Sequence, residues 1–169
     1  MKNIYLWTGN GWGKTTSSLG VALRAIGHKK KVIIIQFMKG RKYIGEYKIS
    51  KKLKPYYNIY QFGRKDFVNL KNPSLKDRIL AGKGFEFIDK AVKQKPFLLI
   101  LDEINLACAI KLLDTVKVIE KLKKIPDKIT VYLTGRYAPK KLINIADYVT
   151  EIKARKHPRF YKTRKGIDY

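Results

Sequence analysis

The chain has 169 residues, of which 45% are hydrophobic and 30% are charged, and this is the composition of a single globular domain. Its single cysteine, Cys108, excludes an internal disulfide, no signal peptide is evident, and the longest apolar runs, VIII and FLLIL, are too short to cross a membrane. The 38 lysine and arginine residues against 13 aspartate and glutamate residues give a net charge of +25, which favours anionic partners unless it only reflects the proteome.

The first part of the chain predicts a strand, a loop, a helix and a second strand. NIYLW (3–7) is rich in aromatic and β-branched residues and predicts a strand. Residues 15–27 have apolar side chains at helical spacing, and KVIIIQF (31–37) is a continuous apolar run, typical of a strand covered on both faces. This unit favours a parallel sheet with a right-handed crossover.

The rest of the chain continues the alternation of strands and helices. A basic loop with a short helix precedes a weak strand at 58–63, and Ser74 is a candidate N-cap for a helix at 75–94 that Gly82 and Gly84 weaken. NLACAIKLL places Cys108 in an apolar helical setting, where we expect a buried structural thiol. The remaining predicted elements are strands at 96–104, 128–136 and 148–154, helices at 116–123 and 140–145, and a basic, aromatic tail at 155–169.

The segment TGNGWGKTT (8–16) links the first strand to the first helix and is similar to a phosphate-binding loop. Gly13, Lys14 and Thr15 fit the end of the pattern G-x-x-x-x-G-K-[ST], whereas Thr8 stands in the place of its first glycine. Glycines let backbone N–H groups approach a phosphate, and the helix N-terminus adds partial positive charge. The predicted nucleotide-binding residues are Thr8, Gly9, Asn10, Gly11, Trp12, Gly13, Lys14, Thr15, Thr16 and Arg136.

Three charged residues follow buried strands, where a parallel sheet binds its ligands. Asp102 and Glu103 end the run LLILDE, and carboxylates at this edge can hold Mg²⁺. Arg136 ends the run LTGR, and its guanidinium can bind phosphate oxygens. With Lys14 and Thr15, these residues predict a site for Mg²⁺ and a nucleotide.

These motifs together resemble the P-loop type of ATP:corrinoid adenosyltransferases. TGNGWGKTT, IIIQFMKG followed by Gly45 and Glu46, LLILDE, LTGR and the terminal KGIDY occur in the order seen in that family. The resemblance covers essentially the whole chain, and the family also has threonine at the first glycine of the loop. It implies an α/β fold, with a mostly parallel sheet flanked by helices, as one P-loop NTPase-like (RecA-like) domain over residues 1–169.

The resemblance also implies a reaction. Family members transfer the 5′-deoxyadenosyl group of ATP to the Co(I) centre of a reduced corrinoid, which gives adenosylcobalamin and inorganic triphosphate. ATP is held reversed relative to ordinary phosphate-loop enzymes. The catalytic residues carried over by motif are Lys14, Thr15, Glu103 and Arg136, and the Mg²⁺ ligands are Thr15 and Glu103, with Asp102 nearby.

Corrinoid binding is carried over to three residues. Aromatic residues before the long helix displace the lower axial ligand of the corrinoid in the family, which makes Phe67 the first candidate and Phe62 the second. The segment 61–69 lacks the tryptophan of the well-studied family pattern. His157 falls where the family has Lys-His, and is a candidate for a position near the corrinoid or for docking the tail.

Two features depart from the family pattern. Trp12 stands where the common family loop has lysine, and on the sequence it either stacks on a ligand or covers the loop. The chain begins at the first strand, whereas longer members carry an N-terminal segment over the corrinoid site, so we expect a more open site. The resemblance further implies a homodimer that can take electrons from an acidic, flavodoxin-like protein. The single cysteine fits a reducing cytosol, so we expect a cytoplasmic protein, with no nucleic-acid or membrane partner.

Two other functions stay open on the sequence. A RecA-like nucleic-acid-dependent ATPase would account for the net charge, the aromatic and basic tail and the glutamate beside Asp102. Against it, no nucleic-acid-binding module is recognised, and the basic residues do not form one stripe. A small-molecule kinase is the third candidate, although no lid with clustered arginines is evident.

Overall fold

Six strands form one sheet in the computed structural model, which describes residues 3–169. In chain order they are β1 (Ile4–Thr8), β2 (Val32–Phe37), β3 (Tyr57–Phe62), β4 (Leu98–Asp102), β5 (Thr130–Thr134) and β6 (Tyr148–Glu151). Across the sheet the order is β3-β2-β4-β5-β1-β6, and every neighbouring pair is parallel. The predicted α/β class with a parallel sheet is therefore confirmed.

Helices cover both faces of this sheet. They are α1 (Lys14–Gly27), α2 (Gly45–Ser50), α3 (Leu75–Lys93), α4 (Ile104–Ala109), α5 (Thr115–Lys124) and α6 (Lys140–Ile143). Helices α1 and α2 contribute to the hydrophobic core on one face, and α3 to α6 to the core on the other. Within residues 3–169, no helix combines the length and the apolar character that crossing a membrane requires.

The central strands carry the core because both of their faces are covered. In β2, Val32 and Ile34 pack under α1, whereas Ile33 and Ile35 pack on the opposite side, and all four are fully buried. Burying such a side chain contributes about 1.5–3 kcal/mol, which explains the apolar runs of β2 and β4, and the two buried polar residues of these strands, Gln36 and Asp102, lie at their carboxyl ends. The outermost strand β6 is exposed along its length.

Helix α3 begins as predicted and then continues through its glycines. Ser74 and Asp77 form a reciprocal capping box, in which the Ser74 N–H donates to Asp77 Oδ2 at 2.9 Å and the Asp77 N–H to Ser74 Oγ at 3.2 Å. A Cβ on Gly84 would lie 2.9 Å from the Phe37 ring and 3.0 Å from Phe62 Cβ. Gly84 therefore brings the helix close to the sheet and does not interrupt it.

The chain after β4 differs most from the prediction, which continued the strand to residue 104. Glu103 adopts a left-handed conformation with φ 64°, and α4 starts at the next residue. Cys108 is buried on α4, and burial raises the pKa of its thiol to about 12, in keeping with the predicted structural role. The last strand also ends earlier than predicted, at Glu151.

Candidate functional site

The phosphate-binding loop leaves the sheet at Thr8, whose side chain is buried. Its hydroxyl accepts a hydrogen bond from the backbone N–H of Ala138 at 3.1 Å. This bond ties the end of β1 to the loop after β5, which carries Arg136. A glycine has no side chain to make the bond, so threonine at this position connects two parts of the site.

The next two glycines are required by the segment that follows β6. Gly9 has φ 97°, and a Cβ there would collide with the Ile152 carbonyl, while a Cβ on Gly11 would lie 2.8 Å from the same oxygen. The Gly11 N–H donates to this carbonyl at 2.8 Å, and Asn10 Oδ1 accepts from the Ala154 N–H at 3.0 Å. The Gly11 amide is therefore bonded within the protein, to the segment that follows β6.

Lys14 is the first residue of α1 and is buried. Its ammonium group donates to the carbonyl of Gly11, across its own loop. Burial lowers the pKa of Lys14, the charge of Arg136 lowers it further, and Glu103 raises it. Because the first N–H groups of a helix lack intrahelical acceptors, Lys14, Thr15 and Thr16 still present donors at this point.

Asp102 is the centre of a buried hydrogen-bond network. Its carboxylate accepts from Thr15 Oγ1 at 2.9 Å, Gln36 Nε2 at 3.0 Å, Lys39 Nζ at 2.7 Å and Thr134 Oγ1 at 2.7 Å. Burial alone would raise the pKa of Asp102, but the Lys39 charge and these hydrogen bonds lower it overall. The carboxylate therefore stays ionised and fixes Thr15 at the start of α1.

Lys39 is the positively charged partner of Asp102 in this network. Burial alone would lower the pKa of its ammonium group, but the nearby carboxylates of Asp102, Glu103 and Glu46 raise it overall. The sequence motif IIIQFMKG contains both Gln36 and Lys39, yet the pattern gave neither of them a role. Only the fold brings them to Asp102, which comes more than 60 residues later in the chain.

Glu103 differs from Asp102 because one of its carboxylate oxygens has no hydrogen-bond partner among the described residues. Within residues 3–169, Oε2 is buried and accepts no hydrogen bond. Burial raises the pKa of Glu103, and the charge of Asp102 adds to this effect. The strained turn at φ 64° is held by the Glu103 N–H, which donates to Thr134 Oγ1 at 3.1 Å.

A divalent cation fits this donor set. The unpartnered carboxylate oxygen of Glu103 and the hydroxyl oxygen of Thr15 are ligand types that Mg²⁺ accepts. Asp102 bonds to that hydroxyl and is already occupied by four donors, which suits it to the position beside the metal. Among residues 3–169 there is no group of three or more His, Cys, Asp or Glu side chains arranged to hold a metal ion.

Arg136 lies on the exposed turn after β5. A Cβ on the preceding residue, Gly135, would lie 2.8 Å from the backbone nitrogen of Leu106, so the turn packs tightly on α4. Asn105 packs against Gly135 as well, and its Nδ2 donates to the Trp7 carbonyl at 3.1 Å. The charge of Arg136 lowers the pKa of both Lys14 and Glu103, which reflects its position at the same edge of the sheet.

Trp12 contacts the C-terminal tail. Its ring lies edge-on to Tyr161, with 4.6 Å between the centroids, and to His157, with 5.3 Å. Asp168 accepts from the Arg164 N–H at 2.6 Å, which folds the end of the tail back on itself. Trp12 therefore connects the phosphate loop to the tail.

Two cavities flank the phosphate loop. One, of about 500 Å³, lies between α1, α2 and the last four residues, and includes Thr15, Thr16 and Lys39 in its wall. Apolar side chains of α1 and α2, among them Leu19 and Ile49, line much of the rest. The other, of about 650 Å³, lies on the β6 side of the loop. The site therefore has room for ligand on both sides of the phosphate-binding residues.

Comparison with known proteins identifies the family. Residues 1–169 match the family described as ATP:corrinoid adenosyltransferase BtuR/CobO/CobP. The protein belongs to this family. Its relatives include the corrinoid adenosyltransferase CobA of Salmonella typhimurium (strain LT2), which is 33% identical over 170 residues that cover 98% of this chain and 85% of that protein. The chain is therefore an enzyme of the ATP:corrinoid adenosyltransferase family.

Two further matches bear on length and fold. The uncharacterized protein all2391 of Nostoc sp. (strain PCC 7120 / SAG 25.82 / UTEX 2576) is 31% identical over 169 residues, which are 92% of this chain but only 45% of that protein. The KaiC-like protein PH0186 of Pyrococcus horikoshii OT3 superposes with a TM-score of 0.57 at 18% identity, covering 89% of this chain and 70% of that chain. This likeness concerns the fold alone, and it agrees with the α/β architecture described above.

The aromatic residues that family resemblance assigned to the corrinoid have different surroundings. Phe67 is 83% exposed on the loop between β3 and α3, and the Arg41 guanidinium lies 4.0 Å from its ring centroid. Phe62 is half-buried at the end of β3 and packs against Phe87 at 5.3 Å. Of the two candidates, Phe67 is the one whose ring is exposed. His157 is exposed beside Trp12.

Proposed function

We propose that this enzyme transfers the 5′-deoxyadenosyl group of ATP to the Co(I) centre of a reduced corrinoid and releases inorganic triphosphate. The observation that carries the proposal is the convergence of Lys14, Thr15 and the unpartnered Glu103 oxygen at one edge of the sheet. This arrangement suits a polyphosphate with its counter-cation. The family to which the chain belongs supplies the second substrate class.

The transfer balances without a nucleophilic side chain. The electron pair of Co(I) forms a bond to the ribose 5′ carbon while the bond from that carbon to the phosphate oxygen breaks. The bonding electrons leave with triphosphate, and no proton needs to move. The cofactor-derived substrate performs the difficult chemistry, so the protein supplies binding, orientation and charge.

The side chains around the loop stabilise the leaving triphosphate. Lys14 and Arg136 offer charged donors to its oxygens, and the N-terminus of α1 adds backbone donors. Thr15 and Glu103 would hold Mg²⁺, with Asp102 fixing the Thr15 hydroxyl. The bound cation supplies further positive charge against the charge that develops on the phosphates.

The corrinoid part of the proposal rests on exposed aromatic residues. We assign Phe67 to displacement of the lower axial ligand of the Co(II) corrinoid, because its ring is exposed on a loop at the ligand edge. His157 is proposed to lie near the corrinoid, whereas the packing of Phe62 in the core favours a supporting role. Phe67→Ala should lose more activity with Co(II) corrinoid and reductant than with preformed Co(I). Equal losses would remove the role of Phe67.

Analysis of the products tests the reaction. The protein is incubated with Mg-ATP and chemically reduced cob(I)alamin, and the expected products are a cobalt–carbon bond and triphosphate. Release of only ADP and phosphate, stimulated by DNA, would favour the nucleic-acid-dependent ATPase. Transfer of a phosphate to a small molecule would favour the kinase. Lys14→Ala should nearly abolish adenosyl transfer, since it removes the buried charge of the loop.

The proposal extends to two protein partners. We propose that an acidic, flavodoxin-like protein supplies the electron that reduces the corrinoid, and that two chains form a homodimer. The excess of basic over acidic residues, 38 against 13, supports attraction of an acidic donor. A molecular mass in solution that matches one chain across micromolar concentrations would contradict the dimer.

A further inference from the structure

The turn after β2 brings a second lysine, Lys39, to the phosphate site. Lys39 Nζ lies 2.7 Å from Asp102 Oδ2 and 3.4 Å from Thr15 Oγ1. It belongs neither to the phosphate-binding loop nor to the pair of carboxylates after β4. Its ammonium group nevertheless contacts the hydroxyl of Thr15, in the first turn of α1.

The backbone of this turn is fixed by the neighbouring strand end. Met38 has a left-handed φ of 59°, and its N–H donates to the Phe62 carbonyl at 3.0 Å. A Cβ on Gly63 would overlap the backbone of Met38, and a Cβ on Gly40 would overlap the Gly63 carbonyl. The turns after β2 and β3 therefore touch backbone to backbone. This contact fixes the backbone of the turn that carries Lys39.

The ammonium group of Lys39 has donors to spare. An ammonium carries three N–H donors. Asp102 accepts one at 2.7 Å, and Thr15 accepts a second at the longer distance of 3.4 Å. The side chain is 28% exposed, and it lines the cavity between α1 and α2. A third donor therefore remains for an anion that enters this cavity.

We propose that Lys39 is a second triphosphate-binding lysine, which Asp102 holds beside Thr15 so that its ammonium group bonds a phosphate oxygen. This inference rests on the proposed function, since it concerns the same site and names a further residue that contacts the triphosphate. Lys14 reaches the site from the loop, whereas Lys39 reaches it from the edge of the sheet. The two lysines would bind the triphosphate from two separate elements.

Binding of tripolyphosphate in metal-free buffer, measured by calorimetry, tests the contact without the reaction. A hydrogen bond to a charged group is worth enough that Lys39→Met should weaken binding at least about tenfold. Lys39→Arg, which keeps the charge, should recover part of the loss. Lys42→Met removes an exposed lysine of the same loop and should bind within about twofold of wild type. Equal affinity of Lys39→Met and wild type would overturn the inference.

A double variant separates the contact from net charge. Lys39→Met leaves the buried Asp102 carboxylate without its cation, and this alone could repel the ligand or unsettle the fold. Lys39→Met combined with Asp102→Asn has the net charge of wild type and no unpaired carboxylate. The inference predicts that its tripolyphosphate binding stays at least about tenfold weaker than wild type. Recovery of wild-type affinity in a folded double variant would overturn it.

The product assay keeps this inference distinct from the proposed function. If the wild-type protein forms no cobalt–carbon bond but binds tripolyphosphate in a Lys39-dependent way, the reaction is wrong and the role of Lys39 stands. If the bond forms and Lys39→Met binds tripolyphosphate like wild type, the reaction stands and the role of Lys39 is wrong.

Discussion

At the scale of single residues, Thr8 explains why the phosphate loop lacks its first glycine. Its hydroxyl holds the Ala138 N–H at 3.1 Å and so connects the loop to the turn that carries Arg136. Thr8→Val keeps the shape but removes the acceptor, and should cost about 1 kcal/mol of unfolding free energy and weaken ATP binding. Thr8→Ser keeps the hydroxyl and should resemble wild type in denaturant unfolding and nucleotide titration. A serine variant as impaired as the valine variant would contradict this role.

Glu103 gives a residue-scale prediction for pH. Burial, with the charge of Asp102, raises its pKa in the folded state, so the unfolded chain ionises first as pH rises. Stability is thus unaffected by Glu103 below its unfolded pKa and falls as pH increases towards its folded pKa.

Glu103→Gln should therefore stabilise the ligand-free protein at neutral pH, and the gain should disappear in acid. Denaturant unfolding across a pH series measures this, with Glu86→Gln, at an exposed position on α3, as the matched control. The variant should also lose Mg²⁺-dependent ATP binding. A Glu103→Gln protein less stable than wild type at neutral pH would show that the carboxylate stabilises the fold.

At the scale of elements, the strands and helices with a regular pattern of apolar residues could be predicted from the sequence. The continuous apolar runs indicated β2 and β4, and the spacing of apolar residues indicated α1. Because parallel strands end at one edge, the carboxylates after β4 could be placed near the phosphate loop in advance. The apolar run around Cys108 indicated a helical setting, but the start of α4 was missed because the left-handed turn at Glu103 has no local signal.

Contacts between residues far apart in the chain could not be predicted from local sequence patterns. Gly84 was interpreted as weakening α3, whereas its packing against Phe37 and Phe62 allows close approach of helix and sheet. Lys39 could be seen within the motif, but its pairing with Asp102 joins residues that only the sheet order brings together. The same holds for the contact of Gly9 and Gly11 with Ile152.

The contact between the phosphate loop and the tail gives an element-scale prediction. Trp12 packs edge-on against Tyr161 and His157, and each aromatic pair of this kind contributes about 0.5–1.5 kcal/mol. Trp12→Ala should release the lysine- and arginine-rich tail and raise its cleavage by trypsin roughly two- to tenfold. Trp12→Phe retains an aromatic ring, so its rate of tail cleavage should lie between those of the wild type and the alanine variant. Unchanged cleavage in the alanine variant would mean that Trp12 does not hold the tail.

At the scale of the whole molecule, the net charge of +25 gives a prediction for the proposed acidic electron donor. Attraction between a basic protein and an acidic donor speeds encounter and is screened by salt. We expect the rate of electron transfer from a flavodoxin-like donor to fall steeply as ionic strength rises, as stopped-flow measurements can follow. A small chemical reductant without charge serves as the control. A donor rate that does not respond to salt would mean that the charge plays no part.

The proposed function differs from its alternatives in which bond of ATP breaks. ATP carrying a heavy-oxygen label at the bridge between the ribose 5′ carbon and the α-phosphorus distinguishes the alternatives by mass spectrometry. With Mg²⁺ and a Co(I) corrinoid, we predict that the label leaves in triphosphate, in equal amount to the cobalt–carbon bond formed. Label that stays with ADP or AMP, with no cobalt–carbon bond, would show phosphoryl chemistry and contradict the proposed function.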